Sequence, residues 1–352
     1  QAMELYVLNK DFEIIDFIDT FISLEWVKRY FDTGDFVLNT IADLKTVKTL
    51  QKRNYLVRED DESIMIIEKI NIVTSTEGGN KIAVSGKSIE SILARRIIWT
   101  QTNSKSGETA EAFIRRLVNE NVINPYDLKR KIPKLKLGAL KGFKETIDKQ
   151  VTGDNLLDTI ISICQAYNYG FKITMDNEGW LVFDLYKGED RSYNQFINPY
   201  VIFSDDFDNI INTEYEYNET NIANVALIGG EGEGTDRKYQ AIGESEGFDR
   251  YELFVDAKDI SSNNGEIATA EYNKLLIERG NEKIAEKTFT ESYSGEVETT
   301  LTYKYKEDYD LGDIVQTVNE YGIEATPRII EVIESKNENG YRVVPTFGTW
   351  EV

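Results

Sequence analysis

Histidine is absent from this chain, and cysteine occurs once, at Cys164. The first absence removes Ser-His-Asp triads, Cys-His dyads and histidine-ligated zinc. The second removes any intrachain disulfide and any multi-cysteine metal site. Cys164 falls in an apolar helical pattern with Leu156, Leu157, Ile160 and Ile161, where a small core residue is expected rather than a reactive thiol. No apolar run reaches ~18 residues, so no membrane-spanning helix is expected. The N-terminus lacks a basic segment followed by an apolar one, the mark of a secretory signal. Gln1-Ala2 ahead of Met3 reads as a vector-derived remnant. Proline is scarce, at 5 residues, while 20 Tyr and 16 Phe argue against disorder.

Positive charge is the other shortage. Against 62 Asp and Glu stand 40 Lys and Arg, a formal net charge of −22. Such a surface repels phosphate backbones, so tight nucleic-acid binding is not expected. It suits an ordinary acidic soluble protein, or a surface past which a polyanion must move without sticking. The 352 residues allow two domains, or three to four smaller compact units.

What is present is mostly strand. Short β-rich runs cover Leu5–Leu8, Glu13–Ile18, Asp35–Asn39, Ser63–Val73 and Asn80–Gly86, with a glycine turn at 77–80. A brief helix over Ser88–Leu93 follows. Ala110, Phe113, Ile114, Leu117 and Val118 recur at helical spacing. Thr152-Gly153-Asp154 reads as the cap of a second helix through Tyr167. The basic segment between them, 123–144, holds lysines that are either solvated or in contact with an acidic partner. Strands are expected at 170–175 and 179–184, and a helix over 266–287 that Gly280 weakens. The chain closes in strands at 299–305, 314–318, 329–333 and 341–344. Lys69–Val73 with Lys81–Ser85 resembles Arg328–Ile333 with Arg342–Val344, and Gly-Asp steps precede both, at Gly34-Asp35 and Gly312-Asp313. Either β-hairpins simply look alike, or one small barrel occurs twice with material inserted between. The fold class is therefore α+β and β-dominated.

Candidate sites were weighed on chemistry. The run through Gly230, Gly232 and Gly234 has the wrong spacing for a phosphate loop, and Glu231 and Glu233 would repel phosphate. Close approach of two backbones is the expected use of those glycines. Asp205-Asp206-Phe207-Asp208-Asn209 lacks the order of a calcium loop, so its oxygens are expected on turn amides. Asp190 is expected to fasten a turn, and Arg191 to bridge to a carboxylate or carbonyl. Ser85-Gly86-Lys87-Ser88 is weak evidence for a Ser-Lys nucleophile. Among 62 acids, no short motif singles out a catalytic pair. No catalytic residue, metal or cofactor is expected.

An ordered set of residues carries a resemblance. It comprises Gly188-x-Asp190-Arg191-Ser192, Val201-Ile202-Phe203-Ser204, and Asn224 through Gly230, Gly232 and Gly234 to Arg237. It extends to Val84–Ser88, Arg95-Arg96, Leu311-Gly312-Asp313 and Arg328–Val332. Together these resemble phage and prophage tail proteins of the siphovirus hub family, which is similar to the baseplate hub of contractile-tailed phages and to the N-terminal part of tail-associated lysins. The resemblance implies a homotrimer at the virion tail tip, made in the bacterial host cytoplasm. Its partners would be the distal tail protein ring and the tape-measure protein, with DNA passing through the lumen. It implies a first β-barrel-like tube domain over 3–99 and an α/β inserted domain over 100–187. The second tube domain would be 188–255 with 291–352, and 256–290 a helical insertion. Two tube domains in each of three chains would give a six-fold-like ring on a hexameric tube. The chain ends at Trp350-Glu351-Val352 after its last expected strand, so no hydrolase domain is expected to follow. Runner-up readings are a cell-wall hydrolase using an Asp/Glu pair and a receptor- or carbohydrate-binding module.

Overall fold

A computed structural model describes residues 3–298 and 303–348. The described chain forms two compact units. The first takes residues up to Ile92, Gly170–Glu216 and those from Glu291 onward; the second takes Leu93–Tyr169 and Tyr217–Thr290.

In the first unit, the opening segment supplies β1 (Leu5–Leu8), β2 (Ile14–Ile18), β3 (Ser23–Arg29), β4 (Asp35–Ile41), β5 (Tyr55–Arg58), β6 (Ile64–Ile66), β7 (Lys69–Val73) and β8 (Lys81–Lys87). The middle segment supplies β9 (Gly170–Met175), β10 (Leu181–Tyr186), β11 (Ile202–Ser204) and β12 (Ile210–Asn218). The last supplies β13 (Thr290–Val297), β14 (Gln316–Val318), β15 (Glu324–Ala325), β16 (Arg328–Asn337) and β17 (Gly340–Gly348). The early and late strands do not form two separate barrels. They share one open eight-stranded sheet in the order β12-β13-β17-β16-β3-β4-β8-β7. The joint is antiparallel pairing of β16 with β3, with Glu334 opposite Trp26.

Alternation decides which face is buried. On β4, Phe36 and Leu38 point inward while Val37 and Ile41 stay exposed. The inward face meets a second sheet, β2-β1-β5-β6, across a core that includes Leu5, Val7, Trp26, Phe36, Leu56, Met65 and Val84. Each such large side chain contributes about 1.5–3 kcal/mol of burial. Under the late strands, Phe203 lies 5.2 Å from the Tyr309 ring and 5.3 Å from the Phe347 ring.

The strand expected over 63–73 is two strands in different sheets. Gly86 explains the break: a Cβ there would stand 1.8 Å from the Ile66 carbonyl oxygen, so the chain crosses against bare backbone. The turn is then closed by the Glu68 amide donating to the Ser85 carbonyl at 2.9 Å. A short helix, α1 (Leu44–Thr49), had no periodicity long enough to announce it. Of the strand expected over 299–305, residues 299–302 lie outside the described residues, as do Gln1-Ala2 and Trp350–Val352.

The second unit holds the three longer helices. In α2 (Ala110–Val118), Phe113, Ile114 and Leu117 are buried, and the Thr109 hydroxyl caps the start by accepting the Ala112 amide. A π-helical turn, Asn119–Ile123, continues it. α3 (Leu156–Tyr167) is capped by Asn155, not by 152–154; those residues are taken up by backbone bonds of Ile98 with Gly153 and Asp154, both 2.8 Å. Cys164 is fully buried, and burial pushes its thiol pKa up. α4 (Thr269–Ala285) packs on a three-stranded sheet whose central strand, Val225–Gly229, lies between Tyr239–Ile242 and Glu252–Asp256. Gly280 sits at that contact: a Cβ would fall 2.7 Å from Ile228 Cδ1. The residue expected to weaken the helix lets it approach the sheet.

Candidate functional site

The resemblance-bearing residues divide between the units. In the first unit, 188–192 run parallel to 312–316 as a backbone crossing. The Arg191 amide donates to the Ile314 carbonyl at 2.7 Å, and the Ile314 amide to the Glu189 carbonyl at 2.9 Å. Gly188 is there because a Cβ would stand 1.9 Å from the Gly312 carbonyl oxygen; Gly312 itself has φ +93°. Asp313 is the clasp. Its carboxylate accepts the Glu189 amide (2.8 Å), the Asp310 amide (2.8 Å) and Arg191 Nε (2.9 Å). Asp190 Oδ1 accepts the amide and hydroxyl of Ser192, at 2.9 and 2.7 Å. Arg328 Nη1 donates to the Gly312 carbonyl at 2.7 Å while its guanidinium lies 5.1 Å over the Tyr30 ring. Phe203 joins the aromatic core, and the buried Ser204 donates its amide to Asn209 Oδ1 at 3.0 Å.

Beside this crossing lies a charged network that the sequence reading did not find. Arg58, with no side-chain exposure, donates to Asp60 and to both carboxylate oxygens of Glu334. Asp61 accepts the Trp26 indole (2.9 Å), Lys28 (3.0 Å) and Lys306 (2.8 Å). Burial alone would raise Asp61, but the charges of Lys28, Lys306 and Arg58 hold it well below the carboxylate range. The network ties β3 and β5 to β16. A signal for it existed: Arg58 and Glu334 occupy inward-phase positions on their strands, in register with Leu56 and Val332.

A cavity of about 300 Å³ adjoins it, lined in part by Lys28, Glu90, Tyr186 and Asp310. Glu90 accepts the Ile173 amide through Oε1, and its Oε2 is buried without a hydrogen-bond partner. Burial raises the pKa of Glu90, partly offset by Ser88 and the Ile173 amide. It raises Asp310 too, against the pull of Lys28. Among the described residues no group of acids is gathered to hold a metal, and Asp205, Asp206 and Asp208 lie on an exposed turn.

In the second unit, Asn224 accepts the Tyr251 amide and donates to the Asp249 carbonyl. Gly230 faces Tyr272, whose hydroxyl would lie 2.6 Å from an added Cβ. Gly232, at φ +100°, meets the backbone of Asp236 and Arg237. Gly234 has φ +54°. Arg237 spans the loop, donating to the carbonyls of Gly229 and Gly230 and to Asp256. Gly232 serves backbone approach, Gly230 side-chain packing and Gly234 a left-handed turn.

The chain belongs to the Siphovirus ReqiPepy6 Gp37-like protein family, whose model matches residues 4–349. Among curated proteins none matches. Its fold is similar to that of the tail protein from Neisseria meningitidis MC58, with a TM-score of 0.58 at 14% identity, covering 99% of this chain and 96% of that one. The 43 kDa tail protein of prophage MuSo2 from Shewanella oneidensis gives 0.58 at 12% identity, covering 98% of each chain. The prophage tail protein gp18 from Listeria monocytogenes EGD-e gives 0.54 at 10%, covering 98% of this chain and 94% of that one. The family assignment and the shared fold agree with the resemblance read from the sequence. Among the described residues no helix is long and apolar enough to cross a membrane.

Proposed function

We propose that the chain is a structural subunit of a phage tail-tip hub, three copies of which form a ring that continues and closes the tail tube. One observation carries this reading. The eight-stranded sheet is the same four-strand arrangement twice: β12-β13-β17-β16 followed by β3-β4-β8-β7, each ending in a hairpin of consecutive strands. The internal joint pairs the last strand of one set, β16, with the first of the other, β3. The strands in the same two positions at the free edges are β7 and β12. Both are unprotected: Ile72 and Val73 are about half exposed, and all of β12 after Ile210 is exposed. An open edge of that kind is a template for another chain. Pairing β7 of one copy with β12 of the next repeats the internal joint, and three copies make six modules. In this reading the early set would belong to the first tube domain, 3–99, and the late set to the second, 188–255 with 291–352.

The face of the sheet turned from the core would line the channel. It carries Ser23, Asn39, Ser85 and Thr346 beside exposed Glu25, Val37 and Lys81, and on it Arg29 pairs with Asp35 (2.6 Å) and Glu331 (2.8 Å). A lining of mixed charge with small polar side chains would let DNA or a tape-measure protein pass without strong adhesion. Expected neighbours are the distal tail ring and the tape-measure protein, and the position is the virion tail tip. The test is sedimentation of the chain over a range of concentrations, with electron microscopy of the assembled tail. A three-copy ring is expected, lost in Ile72→Pro, which removes an outward-facing edge donor from β7. A monomer in solution together with a tail tip lacking three-fold order would sink the reading.

A second reading has one feature behind it: Glu90 and Asp310 line one cavity, both raised by burial. A cell-wall hydrolase using them would clear a peptidoglycan gel and lose that clearing in Glu90→Gln. The tail-tip reading expects no clearing from either protein.

A further inference from the structure

The second unit carries a basic groove that neither ring closure nor channel lining employs. It is open, about 880 Å³, and lined by Arg95, Arg96, Lys129 and Arg130 together with Trp99 and Tyr126, with two acids, Glu120 and Asp127, also on its wall. On a chain of net charge −22, four cations against two acids in one groove are a local reversal of sign. None of the four makes an ion pair with an acid among the described residues.

The two inner arginines are held by neutral oxygens instead. Arg96 Nε donates to the Arg130 carbonyl at 2.8 Å, and Arg130 Nη2 to the Ile97 carbonyl at 2.6 Å and Asn121 Oδ1 at 3.1 Å. Asn121 is placed by the π-helical turn, a backbone irregularity common at functional sites. These oxygens orient the guanidinium forks without neutralising them, and the Asp127 carboxylate offsets only part of the positive charge at Arg130. Burial and then the adjacent Arg96 lower the pKa of Arg130, against the opposing charge of Asp127. Arg130 lies 5.4 Å over the ring of Trp99, which is 67% exposed, and Tyr126 is fully exposed. Pre-oriented cations beside open aromatic faces suit a ligand that brings carboxylates and an aromatic ring together.

A segment of that chemistry is present on the same chain. The 3-10 turn Asp205–Phe207, followed by Asp208, exposes three carboxylates around Phe207, itself 56% exposed. None of these three acids is ion-paired among the described residues. We propose that the groove docks the Asp205–Asp208 turn of a second copy of this chain. This rests on the reading that the chain assembles with itself, and names a second contact beyond the strand edges.

A synthetic peptide of residues 204–210 is titrated into the full chain carrying Ile72→Pro, which removes an edge donor and blocks ring closure, and tryptophan emission is read. Saturable binding is expected, weakened by added salt and silent in Trp99→Phe. Arg95→Glu with Lys129→Glu, both at exposed positions, should weaken it about tenfold or more. A peptide with lysine at the three aspartate positions should then prefer that reversed variant. Absence of binding, binding indifferent to the charge reversal, or tighter binding of a thymidine oligonucleotide overturns the proposal. Peptide binding by the variant, with no ring formed by the unsubstituted chain, overturns the strand-edge reading and leaves the groove contact standing.

Discussion

The two units each bury a cluster of charge, with opposite results. In the first, Lys28, Arg58 and Lys306 meet Asp60, Asp61 and Glu334, and Asp61 is held strongly ionised. In the second, a single lysine serves too many acids. Lys149 donates to both oxygens of Glu282, at 2.7 and 2.6 Å, one helical turn from Glu278. Burial, then the charge of Glu282, push Glu278 up to about 7, despite a 3.0 Å bond from the Tyr167 hydroxyl. Burial is common to both. The ratio of cations to acids decides whether the buried carboxyl keeps its proton.

The largest test of this comparison is Arg58→Met. It leaves the buried Glu334 without its closest cation and should cost about 3–5 kcal/mol in urea unfolding. A loss below about 1 kcal/mol would mean that the network is not the tie between β5 and β16. Next is pH. Glu278 binds its proton more tightly folded, at about 7, than at the ordinary 4.5. The folded state then holds more protons between those values, so stability falls as pH rises from about 4.5 to about 7. The fall should be on the order of 1–3 kcal/mol, seen as a drop in Tm, and Glu278→Gln should flatten it. A variant that keeps the full slope places the titration elsewhere. Lys149→Met sharpens the same point: its penalty should be larger at pH 8 than at pH 5, because only ionised acids miss the lysine. The smallest effect is expected at the half-exposed pair Arg29–Glu331. There Glu331→Gln should change the unfolding free energy in urea by less than about 1 kcal/mol.

How much was legible follows the same physics. Helices with a clean apolar face, Ala110–Val118 and Leu156–Tyr167, stood out from spacing. The helix at Thr269–Ala285 was visible, yet the purpose of Gly280 was not, because Ile228 lies 52 positions away in the chain. Ser63–Val73 read as one strand, since hydrophobicity is continuous across the point where Gly86 lets the chain change sheets. The charged network escaped because Arg58 and Glu334 are 276 residues apart, and inward phase alone does not name a partner.

The residues of this chain by themselves determined its β-rich character, its acidity, the exclusion of histidine and disulfide chemistry, and the likeness between an early and a late hairpin. Those properties follow from composition and from periods of two to four residues, which are local. Tertiary structure decided that the two hairpin sets share one sheet, and that Gly188 and Gly312 exist for one backbone crossing. It also decided which charges are buried together. Those outcomes depend on contacts between segments more than a hundred residues apart, and no local pattern encodes which strand edge meets which.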